Sequence, residues 1–332
     1  MEKAKKKPNL TIFYLIMILV IAGLVMLLAY VRYRGVRILD TSYSYSAFGR
    51  TDDRFTRLSA FADNITVSDP SVVIENLRLS ESSERALLFN VDTNTPVFAQ
   101  GIYTKAYPAS LSKLMTAIMC MRFCDMNTVI TMEPSDFDLE AGSQVSGMQP
   151  GDQVTVGQLF HALVVYSAND AAMALARHID GSVEVFVEEM NQIAGEMGLV
   201  NTHFTNPSGL HDSDNYSCAY DIYLLLNEAF KYTAYQDAAR MNVYTLRVTT
   251  AEGNTRTRVL DSTDKYLTGE RNLPFNVTLL GGKTGTTPEA GANLAVYVQN
   301  AMGVPYIAVI MNASSRSVLY DDMTLLLSTV ND

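Results

Sequence analysis

Cysteine and histidine are scarce in this chain of 332 residues, which carries three of the first and four of the second. An odd cysteine count leaves no complete disulfide framework. Cys120 and Cys124 fall one helical turn apart and Cys218 is distant, so all three read as small buried hydrophobes. His161, His178, His203 and His211 make no pair at metal-ligand spacing, so a zinc site is not expected. Charged residues are sparse too, at 18%. Residues 1–37 hold seven of the 25 basic side chains and one of the 35 acidic ones, so the remainder sets 18 against 34, a net charge of −16. A chain so acidic is a poor nucleic-acid binder.

Charge is absent altogether from Pro8 to Val31, with Lys3, Lys5, Lys6 and Lys7 before the stretch and Arg32, Arg34 and Arg37 after it. At about 1.5 Å per residue this makes roughly 36 Å of helix, enough for a hydrocarbon core of about 30 Å. A cleaved signal would have a shorter apolar run and a small-x-small site, which Ala29-Tyr30-Val31 does not supply. The expectation is a single membrane-spanning anchor over residues 8–31, within a 1–37 anchor region. The lysines favour a cytoplasmic N-terminus and an extracytoplasmic bulk. Residues 38–82 are rich in Ser, Asp and Thr without sustained periodicity, as in a stalk. The folded domain is expected over 83–332.

What is present is core material, with 48% hydrophobic residues. Residues 86–91 and 97–99 read as two strands around a turn. After Pro108, Leu111, Leu114, Met115, Ile118 and Met119 keep the spacing of a helix with one buried face. Thr155-Val156-Gly157-Gln158 is a capping-box pattern opening another helix. Further helices are expected over 170–179, 183–196, 221–232 and 320–328, and strands over 243–249, 277–280, 292–299 and 306–311. Early and late strands around a helical middle imply an α+β fold whose largely antiparallel sheet is flanked by helices.

Three short patterns could carry chemistry. Ser110 and Lys113, three apart at a helix start, share one face, the arrangement of a nucleophile beside its base. The lysine can take the serine proton only if burial or a neighbouring cation lowers its pKa from about 10.4. Ser167-Ala168-Asn169 offers a hydroxyl for proton relay and an amide for a substrate amide. Gly281-Gly282-Lys283-Thr284-Gly285-Thr286-Thr287 combines small residues, which admit an extended substrate, with Lys283 and Thr284 for an anionic carboxylate. Each pattern alone is weak. Ser262-x-x-Lys265 and Ser213-x-Asn215 match the first two equally well, but both fall in polar loops with no rigid element behind them.

Together and in this order, Ser110-x-x-Lys113, Ser167-x-Asn169 and Lys283-Thr284-Gly285 resemble the triplet shared by penicillin-binding proteins and class A β-lactamases. The stretches YPASLSKLMTA (107–117), YSANDAAMALA (166–176), FTNPSGL (204–210) and GGKTGTTPEAGANL (281–294) resemble the D-alanyl-D-alanine carboxypeptidase family, the low-molecular-mass penicillin-binding proteins of serine peptidase family S11. The resemblance covers about residues 84–330. It implies a β-lactamase/D,D-peptidase-like fold with Ser110 as nucleophile and Lys113 as base. Ser167 and Asn169 would be the second catalytic element, with Asn169, Lys283, Thr284, Gly285 and Thr286 binding substrate. Backbone N–H groups of Ser110 and Thr286 would form the oxyanion hole, and Arg316 is the candidate for a further carboxylate contact. The implied reaction is removal of the terminal D-alanine from peptidoglycan stem peptides through a Ser110 ester, which a β-lactam would trap, and it calls for no metal or organic cofactor.

The alternatives are a D,D-endopeptidase, a β-lactamase of the same fold, and a non-catalytic wall-binding scaffold. A class A β-lactamase would need a glutamate in an E-x-x-L-N loop. Glu196-Met197-Gly198-Leu199-Val200-Asn201 has one residue too many and reads as a helix end.

Overall fold

The structure, a computed structural model, describes residues 71–80, 83 and 85–331. The expected span over residues 8–31 lies outside the described residues. Among these no helix is long and apolar enough to cross a membrane.

The chain enters through β1 (Ser71–Val72), then forms the hairpin β2 (Arg85–Asn90) and β3 (Thr95–Gln100). A short 3-10 turn, Ala109–Ser112, leads into α1 (Lys113–Phe123). After β4 (Val129–Thr131) and β5 (Gln153–Thr155) come α2 (Val156–Val165), α3 (Asn169–Asp180), α4 (Val183–Glu196), α5 (Ala219–Ala229) and α6 (Thr233–Ala239). A second hairpin, β6 (Val243–Thr249) and β7 (Thr255–Asp261), precedes β8 (Thr278–Thr287), β9 (Gly291–Gln299) and β10 (Pro305–Ala313). Helix α7 (Arg316–Ser328) closes the domain.

The main sheet has six antiparallel strands in the order β1-β3-β2-β10-β9-β8. Early and late strands therefore pair, Arg85–Asn90 lying along Tyr306–Met311. The sheet is covered on both faces, and its strands sort side chains by the two-residue period of a pleat. Leu87, Phe89, Val309 and Met311 face the helical cluster, whereas Ala86, Leu88, Ala308 and Ile310 face Leu319, Met323 and Leu327 of α7. Burying each large aliphatic side chain stabilises the fold by about 1.5–3 kcal/mol.

Several boundaries differ from expectation for physical reasons. Residues 71–80, assigned to the stalk, belong to the domain: β1 pairs with β3, Leu77 is buried, and the Ser80 amide donates to Asp322 on α7. Helix α1 is buried all round over Lys113–Cys120 rather than on one face, as a central helix must be. The helix expected over 221–232 is α5, which starts at Ala219 and ends at Ala229, and α6, Thr233–Ala239, is a separate short helix beyond it. Strand 243–249 does not join the main sheet but lies in a second sheet, β4-β5-β6-β7. The expected capping box is present, Gln158 N–H donating to Thr155 Oγ1 while Gln158 Oε1 accepts from the Thr155 amide.

Candidate active site

Ser110 lies in the 3-10 turn rather than in the first turn of the α-helix, which starts at Lys113. The preceding Ala109 takes φ 48°, a left-handed conformation that an alanine adopts only under constraint. The constraint comes from two sides. Gly209, at φ 79°, passes so close that a Cβ there would fall 1.8 Å from the Ala109 carbonyl oxygen. Gly285 on β8 approaches from the sheet, where a Cβ would fall 2.7 Å from the Pro108 oxygen and 3.0 Å from the Ser110 nitrogen. Asn293, opposite Gly285 on β9, donates from Nδ2 to the Tyr107 and Pro108 carbonyls at 3.0 and 3.1 Å. Its Oδ1 accepts from the Asn312 amide. Strands β8 and β9 thus hold the serine turn by close packing and by one buried amide.

Lys113 is 1% exposed, and its Nζ stands 3.0 Å from Ser110 Oγ. Two acceptors complete its surroundings: Asn169 Oδ1 at 2.7 Å and the Ser208 backbone carbonyl. The match to a general base is chemical. A neutral amine has two N–H donors and one lone pair; with both donors engaged by oxygens that can only accept, the lone pair is left for the Ser110 hydroxyl. Burial, and next the charge of Lys283, hold the Lys113 amine well below its ordinary pKa, with Asp170 opposing.

Ser167 occupies the loop between α2 and α3 at φ 64°, another left-handed non-glycine position. The Asn169 amide donates to Gln144 O, and the Asp170 carboxylate accepts from the Ser146 amide and hydroxyl. This segment is therefore pinned to residues 144–146. Lys283 Nζ donates to Ser167 Oγ at 2.8 Å, joining the second and third motifs. Lys283 is 3% exposed, and burial brings its pKa down to about 7 although Asp264 pushes it up. Thr284 Oγ1 shares a hydrogen bond with Thr263 Oγ1 at 2.5 Å.

The structure thus brings Ser110, Lys113, Ser167, Asn169, Lys283, Thr284 and Gly285 together, with exposed Thr286 one residue on. Arg316 is exposed at the start of α7, and among the described residues no hydrogen bond joins it to the cluster. The two decoys behave as loops. Ser262 Oγ accepts from the Asp264 amide, Lys265 pairs with Glu270, and Asn215 reaches back to Leu210 O. Glu196 ends α4, exposed and bonded to Gln192.

Sequence reasoning missed three contributors. The Ser208 carbonyl and the Asn293 amide lie inside quoted stretches, but only folding reveals what they touch. Asp264, in the discounted Ser262–Lys265 stretch, is buried beside the site. Cys120 and Cys218 are buried and Cys124 is partly so.

An antiparallel sheet backed by helices, with an active-serine turn, a Ser-x-Asn loop and a Lys-Thr-Gly strand meeting at one point, defines the serine D,D-peptidase class of fold. The D-alanyl-D-alanine carboxypeptidase family model matches residues 72–315, and the chain belongs to that family. It is 30% identical over 243 residues to D-alanyl-D-alanine carboxypeptidase DacF of Bacillus subtilis, covering 71% of this chain and 59% of that protein. It is 31% identical over 285 residues to DacC of Escherichia coli, covering 81% and 64%. The chain thus spans about six-tenths of the length of these relatives. The crystal structure of the Streptomyces K15 DD-transpeptidase superposes with a TM-score of 0.69 at 25% identity, covering 75% of this chain and 97% of that one.

Proposed function

We propose that this protein is a serine-type D-Ala-D-Ala carboxypeptidase acting on peptidoglycan stem peptides outside the cell membrane, to which residues 8–31 anchor it. The observation that carries the reading is the buried Lys113 amine, 3.0 Å from Ser110 Oγ and with acceptors in its other directions.

Lys113 takes the Ser110 proton as Oγ attacks the peptide carbonyl between the two D-alanines. The Ser110 and Thr286 amides receive the oxyanion, a role supported by the close approach of Gly285 to the Ser110 nitrogen. Lys283 and Thr284 hold the terminal carboxylate, and Asn169 orients the substrate amide. Because Ser167 Oγ accepts from Lys283, its own proton can be passed to the departing nitrogen as Lys113 returns the one it took. The C–N bond breaks, D-alanine leaves, and water cleaves the Ser110 ester. Arg316 is assigned a second contact to the carboxylate. A β-lactam enters the same path but keeps its leaving group tethered, so the ester persists. Rapid β-lactam hydrolysis is not expected, since Glu196 is turned to Gln192 on an exposed helix end.

Covalent labelling by fluorescent penicillin tests the site: the full-length protein labels and Ser110→Ala does not. An unlabelled wild type would favour a non-catalytic scaffold.

A further inference from the structure

We propose that Asp264 is a positioning residue acting through Lys283, its buried carboxylate supplying the counter-charge that keeps the Lys283 ammonium loaded for the substrate carboxylate. The inference rests on the proposed carboxypeptidase reading and adds to it a residue outside the three motifs.

Asp264 lies in the loop between β7 and β8 and is 4% exposed. Its Oδ1 accepts from the Tyr266 amide at 2.9 Å and from the Tyr320 hydroxyl of α7 at 3.1 Å. Its Oδ2 is buried with no hydrogen-bond partner among the described residues. Leaving a buried carboxylate oxygen unbonded is unfavourable, and such groups persist where they have a job. No direct ion pair joins Asp264 to Lys283. The loop is nevertheless fastened to the motif strand, because Thr263, its neighbour, is bonded to Thr284, the neighbour of Lys283. Tyr320 also accepts from the Lys265 amide, so α7 grips the same turn.

The groups around Lys283 make the need for a counter-charge clear. Lys113 on α1 is a second buried amine, and its proton is disfavoured by the charge on Lys283. Asp170 on α3 acts on Lys113. From α6, Tyr235 donates only a neutral hydroxyl to the Gly282 carbonyl at 3.4 Å. Tyr320 and Tyr266 are neutral phenols beside Asp264. Asp264 is the group that favours the charged form of Lys283, and Lys283 in turn holds down a carboxyl that burial pushes up. The site works only if the two lysines differ, one neutral and one cationic. Asp264 favours the charge on Lys283, whereas burial and the charge of Lys283 hold Lys113 neutral against Asp170, whose carboxylate is engaged by Ser146.

Asp264→Asn keeps the shape and deletes the charge. The test is the pH dependence of fluorescent-penicillin acylation, with thermal melting to establish that the variant folds. The descending alkaline limb, where Lys283 loses its proton, is expected to move down by about one pH unit, making the variant about tenfold slower on that limb but within about twofold of wild type at pH 6. If Asp264→Asn does not fold, Tyr320→Phe, which removes a donor that holds the Asp264 carboxyl down and so leaves less of it ionised, moves the limb the same way by less. A folded variant whose rate is uniformly changed at every pH, or whose limb does not move, overturns the inference and leaves the carboxypeptidase reading intact. A wild type that does not label overturns both.

Discussion

Lys113 Nζ donates to the backbone carbonyl of Ser208, 95 residues along the chain. That carbonyl is presented by a loop wound around Asn206, whose Oδ1 accepts from the Ser208 and Gly209 amides and whose Nδ2 reaches Leu210 O. Thr116, one turn on from Lys113, donates to Pro207 O and fixes the same loop to α1. The loop therefore does two things at once: its carbonyl orients the Lys113 amine, and its Gly209 presses on Ala109 ahead of Ser110.

Asn169→Ala removes the other acceptor that orients Lys113. One buried N–H loses its partner and the lone pair is no longer directed at Ser110 Oγ. The penicillin acylation rate is expected to fall about 100-fold, with a smaller loss of about 1–3 kcal/mol in stability by urea denaturation.

Gly209→Ala and Gly181→Ala form a matched pair. Both glycines have φ near 80°, but a Cβ at 209 meets the Ala109 oxygen at 1.8 Å, whereas one at 181 meets nothing within 4 Å. Gly181→Ala should cost only the conformational strain, about 1 kcal/mol, and leave acylation unchanged. Gly209→Ala should cost about 3 kcal/mol or more and slow acylation sharply, because the serine turn must move.

Asn293→Ala leaves the Tyr107 and Pro108 carbonyls and the Asn312 amide without their partner. The expected loss is about 2–3 kcal/mol on urea denaturation. Acylation by penicillin falls with it even in conditions where the variant is fully folded.

The pH profile follows from the two lysines. Lys113 must be neutral, so the rate rises as pH climbs through its depressed pKa. Lys283 must be charged, so kcat/KM falls as pH passes about 7. A bound carboxylate favours the charged form of Lys283, so the descending limb of kcat lies at higher pH than that of kcat/KM. Steady-state kinetics on a D-Ala-D-Ala peptide checks both limbs.

Much of this site is legible in the residues themselves. Ser110, Lys113, Ser167, Asn169 and Lys283 stand at spacings that chemistry explains, and the helical spacing behind Ser110 separates it from Ser262. The short apolar runs of β2 and β10 announce the main sheet, buried on both faces. What stayed hidden is of three kinds. Backbone groups such as the Ser208 carbonyl have no sequence signature, and their partners lie far along the chain. Strand β7, Thr-Arg-Thr-Arg-Val-Leu-Asp, carries a single buried residue, Leu260, so its hydrophobic signal is faint and its pairing with β6 is set by tertiary structure. Asp264 was hidden for a third reason, since a polar loop looks solvated until its burial is seen.

The central claim is that Ser110, activated by Lys113, cleaves the bond between two D-alanines. The direct measurement is D-alanine released when the purified full-length protein is incubated with a pentapeptide ending in D-Ala-D-Ala. The account predicts steady release by wild type and none by Ser110→Ala. Covalent labelling by penicillin without any release of D-alanine would contradict it.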